Sequence, residues 1–202
     1  MGDAEAVGHL RHAGCVGTEV NAECGIRNTE SQRLPSVTSA PNVYIALGSN
    51  LGDSITLLQQ AMAGLQSFSD QPLRKSSLWQ STPVDCPPGS PLFVNAVVAL
   101  IPRPDETPEL LLEKLQALEL EFGREPKKVI NEARPLDLDL IAFGTETRST
   151  PHLILPHPRA HQRKFVLQPL SELAPELTLP GQVRNVRELL ARLRTDEVLR
   201  RL

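Results

Sequence analysis

The spacing of apolar residues predicts four strands and two helices in the middle of the chain. One helix follows Asp53, a capping residue, and has apolar side chains at helical spacing. The other begins at Thr107 and Pro108 and ends at Gly123. The order βαββαβ is that of ferredoxin-like α+β folds, and a C-terminal helical and loop extension follows it. The predicted strands are Val43–Leu47, Leu73–Ser81, Leu92–Ile101 and the apolar part of the segment 134–144.

The first 41 residues lack the periodicity of the rest. They are rich in Gly, Ala, Glu, Asn, Thr and Ser, and they end in a stretch with two prolines, Leu34–Pro41. Such a segment has too few apolar side chains to offset the conformational entropy lost on folding. We therefore expect a disordered tail over residues 1–41 and one domain over residues 42–202.

Length and charge limit the classes of function. A chain of 202 residues is long enough for one domain with a full core, and its formal net charge of −3 gives no basic field for nucleic acid. The longest apolar run, Ala96–Ile101, is far shorter than the roughly 20 residues that span a bilayer. The three cysteines are scattered, which suits a reducing compartment better than a disulfide framework. We expect a cytoplasmic monomer that acts on small molecules, with neither nucleic acid nor a membrane as partner.

Two aspartates one residue apart, Asp137 and Asp139, carry the strongest chemical signal. On a strand they point to the same side, roughly 7 Å apart along the chain. Ile141 and Phe143 continue that face as apolar residues, so we expect the strand to be buried on both faces beyond its first turn. Two like charges at the mouth of a buried strand repel each other unless a cation compensates them. Arg134 or a divalent metal fits that role, and oxygen ligands without Cys or His favour Mg²⁺, whereas a solvated strand end is the alternative.

A turn and a strand add weaker signals. The segment Gly48–Asp53 lies between a strand and a helix, where its backbone amides either receive an anion or simply form a tight turn. Phe93 and Asn95 share one face of the third strand. An aromatic ring beside an amide suits a planar heterocycle, and a core Asn beside a core Phe is the alternative.

Cationic segments flank the aspartates. The loop 124–134 carries four cationic residues and no aromatic residue, which suits either a polyphosphate substrate held with a metal or an ordinary basic surface loop. The segment Leu155–Phe165 holds two His, two Arg and a Lys, which suits a phosphate clamp, whereas His157 taken alone could equally be a capped surface residue. Gln116 and Glu119 are neighbours on one face of the second helix, and a solvated helix face explains them as well.

These residues resemble one family, the 6-hydroxymethyl-7,8-dihydropterin pyrophosphokinases of folate biosynthesis. The resemblance covers about residues 42–180 and rests on six motifs in one order. The motifs are Gly48–Gly52, Thr82–Pro83, Phe93-x-Asn95-x-x-Val98, Glu119 to Arg124, Arg134–Asp139, and Pro156–His157 followed by Arg163-x-Phe165. The fold of this family is ferredoxin-like, which agrees with the order of the elements. Its members transfer pyrophosphate from MgATP to the pterin hydroxymethyl group and release AMP, and the resemblance implies the same reaction here.

The resemblance also implies roles for individual residues. The implied catalytic set is Arg124, Arg134, Asp137 and Asp139. In it, the two aspartates would hold two Mg²⁺ ions that bridge the ATP phosphates. The pterin would bind Thr82, Pro83, Val84, Asp85, Asn95 and the two rings that enclose it, Phe93 and Phe165. ATP, the co-substrate, would bind Gln116, Glu119, Leu140, His157 and Arg163.

Two other classes of protein stay open. A ferredoxin-like sensor that binds its ligand without turnover would not need Arg134, Asp137 or Asp139. A metal-dependent nucleotidyl or glycosyl transferase that uses Asp-x-Asp would need an extended nucleotide-binding α/β sheet, for which the chain has too few βα units.

Overall fold

The computed structural model describes residues 42–124 and 133–202, which form a six-stranded sheet with helices on both faces and a small hairpin. The strands are β1 Val43–Ser49, β2 Arg74–Lys75, β3 Trp79–Ser81, β4 Phe93–Leu100, β5 Asp137–Phe143, β6 Arg148–Ser149, β7 Ile154–Leu155 and β8 Leu199–Arg201. The helices are α1 Ser54–Leu65, α2 Pro108–Glu121, α3 Lys164–Leu173 and α4 Val186–Arg192. None of these helices is long and apolar enough to cross a membrane. The predicted tail, residues 1–41, and residues 125–132 of the basic loop lie outside the described part of the chain.

The main sheet has the strand order β5-β1-β4-β3-β8, and β2 also pairs with β4. All neighbouring pairs in it are antiparallel. The remaining strands, β6 and β7, pair only with each other. The coarser part of the predicted ferredoxin-like α+β fold, a mixture of helices and strands, is therefore confirmed, and the sheet is antiparallel. The C-terminal extension contains α3 and α4, as expected, and also β8, which was not predicted.

Each face of the sheet has its own apolar core. On one face, α1 and α2 pack through side chains such as Leu58, Leu65 and Leu115, which have no exposed surface. On the other face, α3 and α4 pack through side chains such as Leu167 and Val186. The central strands β1 and β4 contribute residues to both cores, which is why they are apolar on both sides.

The two predicted helices begin and end where the sequence indicates. The carboxylate of Asp53 accepts a hydrogen bond from the amide of Thr56, and the hydroxyl of Thr107 accepts one from the amide of Leu110. Just beyond α2, Gly123 has a φ of +81°, a conformation that favours glycine and ends the helix.

The second predicted strand is interrupted and forms β2 and β3 separately. Between them, the hydroxyl of Ser76 accepts a hydrogen bond from the amide of Val97 at 2.9 Å. The carboxylate of Glu172 on α3 accepts hydrogen bonds from the amide of Ser77 and from the indole of Trp79. The amide of Ser76 still donates to the carbonyl of Val97, so side-chain acceptors replace only part of the strand ladder at the break, a feature that the spacing of apolar residues does not reveal.

Strand β5 contains one extra residue relative to β1. The register shifts between Tyr44 and Ile45, which leaves Ile141 as a β-bulge. Ile141 continues the face of the aspartates, as predicted, but Phe143 lies in the core on the opposite face, with α1 and α2. The prediction for Phe143 was wrong because a bulge reverses the alternation of side chains beyond it.

Candidate active site

A cavity of about 550 Å³ opens beside the end of β5 that carries the two aspartates. Its size is within the range of small-molecule sites, roughly 300–1,000 Å³. Side chains from β4, α2, β5, the loop after β3 and the loop before α3 line it. All of the predicted site residues line this cavity except Pro83, Asn95 and Leu140. The fold therefore brings most of the predicted set together, while the role of each residue stays a prediction.

The two aspartates lie on the same face of β5, as predicted from the alternation of a strand. Asp137 is opposite Gly48 of β1. A Cβ atom at position 48 would lie 3.9 Å from the Cβ of Asp137 and 3.4 Å from the Oδ1 of Asn95. Glycine at this position thus leaves the space between the two side chains open, which a longer side chain would fill.

Arginine side chains pair with both carboxylates. The guanidinium groups of Arg124 and Arg134 each lie 3.0 Å from the Oδ1 of Asp137. Arg163 lies 3.4 Å from the Oδ2 of Asp139. Of the two kinds of compensating cation that the sequence left open, this structure shows arginine at both aspartates.

Burial shifts the protonation equilibria of this cluster. The pKa of Asp139 is raised, first by burial and then by the charge of Asp137. The Nε2 of His157 lies 3.9 Å from the Oδ2 of Asp139. The pKa of His157 is nevertheless lowered, because burial outweighs the effect of that carboxylate. A divalent cation between the aspartates would offset the repulsion that raises the pKa of Asp139.

Glu119, near the C-terminal end of α2, is buried rather than solvated. Its Oε1 accepts a hydrogen bond at 2.6 Å from the amide of Leu138, the residue between the two aspartates. The same oxygen pairs with the guanidinium of Arg124. Burial raises the pKa of Glu119 to about 7, although both contacts act in the opposite direction. Because β5 is an edge strand, Glu119 satisfies a backbone amide that β1 does not reach.

The turn after β1 fixes the backbone of Arg134. The amide of Asn50 donates to the carbonyl of Arg134 at 3.2 Å, and the Oδ1 of Asn50 accepts from the amide of Arg134 at 2.9 Å. Asn50 is buried, with 4% of its surface exposed. The Gly48–Asp53 segment, predicted as a turn or an anion-receiving loop, therefore also anchors a cavity arginine, which its composition did not indicate.

Two aromatic rings, those of Phe93 and Phe165, line the cavity. The centroid of the Phe165 ring lies 5.3 Å from the guanidinium carbon of Arg163, within the range of a cation–π contact. Asn95 is buried and does not line the cavity, and its Nδ2 donates to the hydroxyl of Ser81 at 2.9 Å. The interpretation of Asn95 as a core residue thus accounts for its amide nitrogen, whereas both rings border space that a ligand could fill.

A second cavity, of about 270 Å³, shares Leu112, Gln116, Leu138, Asp139 and His157 with the first. Its other walls are largely apolar and include Leu140 and Ile154. Leu140, predicted to bind ATP, therefore lies beside the same histidine and glutamine that were predicted to bind the nucleotide.

The described residues contain no cluster of three or more His, Cys, Asp and Glu side chains that could hold a metal ion. Asp137 and Asp139 form a pair of carboxylates at a cavity, the set of donors with which Mg²⁺ binds when water and substrate phosphates complete its coordination. The residues present therefore fit magnesium.

Some residues of the cavity were not predicted individually. Arg159 lines it as a further arginine and belongs to the basic segment before α3, but no spacing in the sequence distinguished it. Cys86 also lines it, and its Sγ donates to the carbonyl of Val84 at 3.2 Å. Lys127 and Lys128 of the basic loop lie outside the described residues.

The fold and the cavity define an α+β protein with an arginine-rich cavity of the size that small molecules occupy. Comparison with known proteins identifies a family to which the chain is similar. The model of the 7,8-dihydro-6-hydroxymethylpterin-pyrophosphokinase (HPPK) family matches residues 44–175.

Individual proteins agree with this match. The chain is 41% identical over 150 residues to the 2-amino-4-hydroxy-6-hydroxymethyldihydropteridine pyrophosphokinase of Pseudomonas aeruginosa, and the match covers 74% of this chain and 90% of the relative. It is 39% identical over 135 residues to the protein of the same name from Bacillus subtilis, with 66% and 78% covered. The solved structure of Plasmodium falciparum HPPK-DHPS has a TM-score of 0.61 at 11% identity, and the match covers 76% of this chain and 44% of that one. The likeness to this longer protein, of which the chain spans less than half, shows the fold alone.

The chain belongs to the HPPK family. Its membership confirms the resemblance stated from the motifs, and with it the predicted enzyme class and function. The protein is a pyrophosphokinase of folate biosynthesis, with ATP as a substrate. The matches favour neither a sensor without turnover nor a transferase on another fold.

Proposed function

We propose that this chain transfers the pyrophosphoryl group of MgATP to the hydroxymethyl oxygen of 6-hydroxymethyl-7,8-dihydropterin in the cavity beside β5. The observation that carries the proposal is the convergence of two aspartates and four arginines on one cavity that two phenylalanine rings also line. In this reaction the pterin oxygen bonds to the β-phosphorus of ATP, and the bond from that phosphorus to the oxygen bridging the α-phosphate breaks, which releases AMP. Such a transfer depends on alignment and charge neutralisation rather than on covalent chemistry by the protein.

Asp137 and Asp139 are the residues that we assign to two Mg²⁺ ions. When bound, the ions neutralise phosphate charge and help to orient the attacking and leaving oxygens. Two observations support this assignment: the carboxylates share one face of β5, and burial and mutual repulsion raise the pKa of Asp139. Glu119 holds the amide of Leu138 between them, and so fixes the strand on which both carboxylates stand.

The arginines are the residues that we assign to the triphosphate. Arg124, Arg134 and Arg163 all pair with an aspartate of the cavity. Phosphate oxygens accept the same charge-assisted hydrogen bonds as carboxylate oxygens. On binding of the nucleotide, each of these arginines therefore exchanges one anionic acceptor for another and places its charge on the group being transferred.

The pterin occupies the end of the cavity formed by Phe93 and Phe165, with the loop Thr82–Asp85 as a further wall. Stacking on aromatic faces suits a fused heterocycle. Asn95 and Pro83 do not line this space, and they act from behind it. Asn95 holds the hydroxyl of Ser81, and Pro83 restricts the backbone of the loop.

The nucleotide extends from the aspartates into the second cavity. Gln116 and His157 line both cavities and mark the path between them. The apolar walls around Leu140 and Ile154 suit the adenine ring, because small-molecule sites bury most of a ligand against apolar side chains.

We also propose that the domain has the ferredoxin-like topology. The order β5-β1-β4-β3 with antiparallel neighbours supports a ferredoxin-like arrangement, whereas the break between β2 and β3 and the added β8 go beyond the simple βαββαβ pattern. The division into a tail and one domain, the monomeric state and the cytoplasmic location stay predictions.

The nucleotide product tests this function. The protein is mixed with ATP, Mg²⁺ and 6-hydroxymethyl-7,8-dihydropterin, and the nucleotides are separated by chromatography. We expect AMP, formed only when the pterin is present. Asp137→Ala and Asp139→Ala should each lower the rate by several powers of ten, while Asp53→Ala, which removes an exposed helix cap outside the cavity, should retain the rate. ADP as the product would refute pyrophosphoryl transfer, and near-normal turnover by either cavity variant would refute the metal assignment.

A further inference from the structure

The C-terminal segment 194–202 lies beyond the part of the chain that the family model matches, which ends at residue 175. Its strand β8 pairs with β3, with Leu199 opposite Ser81. The contact continues at Thr82, whose amide donates to the carbonyl of Val198 and whose Oγ1 accepts from the amide of Val198, both at 3.2 Å. The segment therefore fixes the start of the loop that forms one wall of the cavity.

Glu197, the residue before Val198, is buried, with 7% of its surface exposed. Its Oε2 accepts a hydrogen bond at 3.1 Å from the amide of Lys164, the first residue of α3. The ammonium of Lys164 in turn donates to the carbonyl of Glu197 at 3.3 Å. Arg163, at the capping position of α3, gives the helix no side-chain hydrogen bond of its own. Glu197 thus supplies, from a distant part of the chain, an acceptor that the first turn of a helix needs.

The helix end that Glu197 caps carries two cavity residues, Arg163 and Phe165. The guanidinium of Arg163 reaches both Asp139 and the ring of Phe165. A shift in the first turn of α3 would therefore move the ring and the guanidinium together. Burial raises the pKa of Glu197, whereas its hydrogen bond from the amide of Lys164 stabilises the charged form.

We propose that Glu197 is a positioning residue for pterin binding. Glu197 holds the first turn of α3, and the segment 194–202 to which it belongs holds the loop that begins at Thr82. Together these contacts set the distance between the helix end and the loop that the pterin requires. The inference rests on the proposed assignment of the pterin to the end of the cavity between Phe93 and Phe165. Glu197 does not line the cavity, so it acts through the backbone of α3 and not by contact with the substrate.

The test compares Glu197→Ala with Glu197→Gln and Asp196→Ala in the full chain. Asp196 is the exposed acidic neighbour of Glu197 and gives a matched control. Calorimetry measures the Kd of the pterin in the presence of Mg²⁺ and a non-hydrolysable ATP analogue, and the Kd of the analogue separately.

We expect Glu197→Ala to weaken pterin binding by about five- to tenfold, the effect of losing one buried hydrogen bond that orders the site. Affinity for the analogue should fall by less than affinity for the pterin, since Arg163 lies at this end of α3 while the other proposed nucleotide residues stand on other elements. Glu197→Gln keeps the length of the side chain and an oxygen acceptor, and should restore most of the affinity. Asp196→Ala should leave both affinities unchanged.

Trp79, the single tryptophan of the chain, lies on β3 opposite Arg201 of β8 and reports folding of this region by its fluorescence. If Glu197→Ala does not fold, Glu197→Asp takes its place. That variant keeps the charge but is one methylene too short to reach Lys164, and it carries the same expectation.

Several outcomes would overturn the inference. One is that Glu197→Ala binds the pterin with unchanged affinity. Another is that Glu197→Ala loses pterin and nucleotide affinity equally and unfolds at a lower urea concentration, because this would indicate a purely structural role. Phe165→Ala, measured in parallel, separates the inference from the function on which it rests. If Phe165→Ala weakens pterin binding and Glu197→Ala does not, only the inference fails. If Phe165→Ala leaves pterin affinity unchanged, the assignment of the pterin to this end of the cavity fails as well.

Discussion

Glu119 allows a test of the electrostatics of the cavity without any substrate. Its carboxylate is buried, accepts the amide of Leu138 and pairs with Arg124. Burial nevertheless raises its pKa from 4.5 to about 7. The substitution Glu119→Gln keeps an oxygen acceptor for Leu138 but removes the titration, so a comparison with the unmodified chain isolates the charge.

The sign and size of the effect follow from the two pKa values of Glu119. Between them, the folded protein binds more protons than the unfolded chain, so the free energy of unfolding falls as the pH rises. At about 1.36 kcal/mol per pKa unit, the difference between 4.5 and about 7 corresponds to at most roughly 3 kcal/mol. We expect this loss to develop mainly below about pH 7, and the contribution of the group to stay constant at higher pH.

The assay is urea unfolding followed by the fluorescence of Trp79, in EDTA and without nucleotide, at several values between about pH 5 and pH 8. Relative to the unmodified chain, Glu119→Gln should gain roughly 2 to 3 kcal/mol in the free energy of unfolding across that range. Glu113→Gln, which changes an exposed carboxylate of the same helix, is the control and should show no such trend. A difference between Glu119→Gln and the unmodified chain that does not vary with pH would refute the reasoning, because it would mean that Arg124 keeps Glu119 ionised throughout.

Two further predictions concern the walls of the cavity. Phe93→Ala should weaken pterin binding by about 1–3 kcal/mol, the scale of a lost stacking contact, as measured by calorimetry with the ATP analogue present. Unchanged affinity would mean that Phe93 lines the cavity without stacking on the pterin. Asn50→Ala removes the acceptor of the Arg134 amide, and should lower the free energy of unfolding by about 1–3 kcal/mol in urea and lower kcat as well. A variant as stable and as active as the unmodified chain would show that the backbone hydrogen bond between these residues is a sufficient anchor.

Most elements of the domain were predictable because their causes are local. The caps at Asp53 and Thr107 and the helical spacing of apolar residues act within a few residues of each other, and the structure shows both helices where these signals place them. The cavity set was predictable for another reason. Separate motifs in one order resemble one family, and the fold brings nearly all of their side chains to one cavity.

The features that escaped prediction all depend on contacts between distant segments. The bulge at Ile141 exists only in the register of β5 against β1, and it decides on which face Phe143 lies. Helical spacing placed Gln116 beside Glu119, but it did not show that the end of α2 covers the edge of β5 and buries only the glutamate. The strand β8 is short and carries two arginines, so its place in the sheet follows from its pairing with β3 rather than from its own pattern.

The ion pairs at the aspartates predict how the metal and the nucleotide bind. Asp137 pairs with Arg124 and Arg134, and Asp139 pairs with Arg163. Magnesium alone would have to displace these arginines from their carboxylates, at a cost that its own binding must offset. ATP supplies phosphate oxygens that accept the same arginines. Metal and nucleotide should therefore each raise the affinity for the other, a coupling that is reciprocal by thermodynamic necessity.

Thermal unfolding measures this coupling directly. A ligand at about 100 times its Kd stabilises the folded state by roughly 2.7 kcal/mol, which shifts the Tm of a domain of this size by several degrees. We expect Mg²⁺ alone to raise the Tm only slightly, and Mg²⁺ with ATP to raise it by more than the sum of the separate effects. Asp137→Ala should lose that excess, whereas Asp53→Ala, whose carboxylate lies outside the cavity, should keep it. If Mg²⁺ alone raised the Tm as much as Mg²⁺ with ATP, the arginines would not be competing with the metal for the carboxylates, and their proposed transfer to the triphosphate would lose its physical basis.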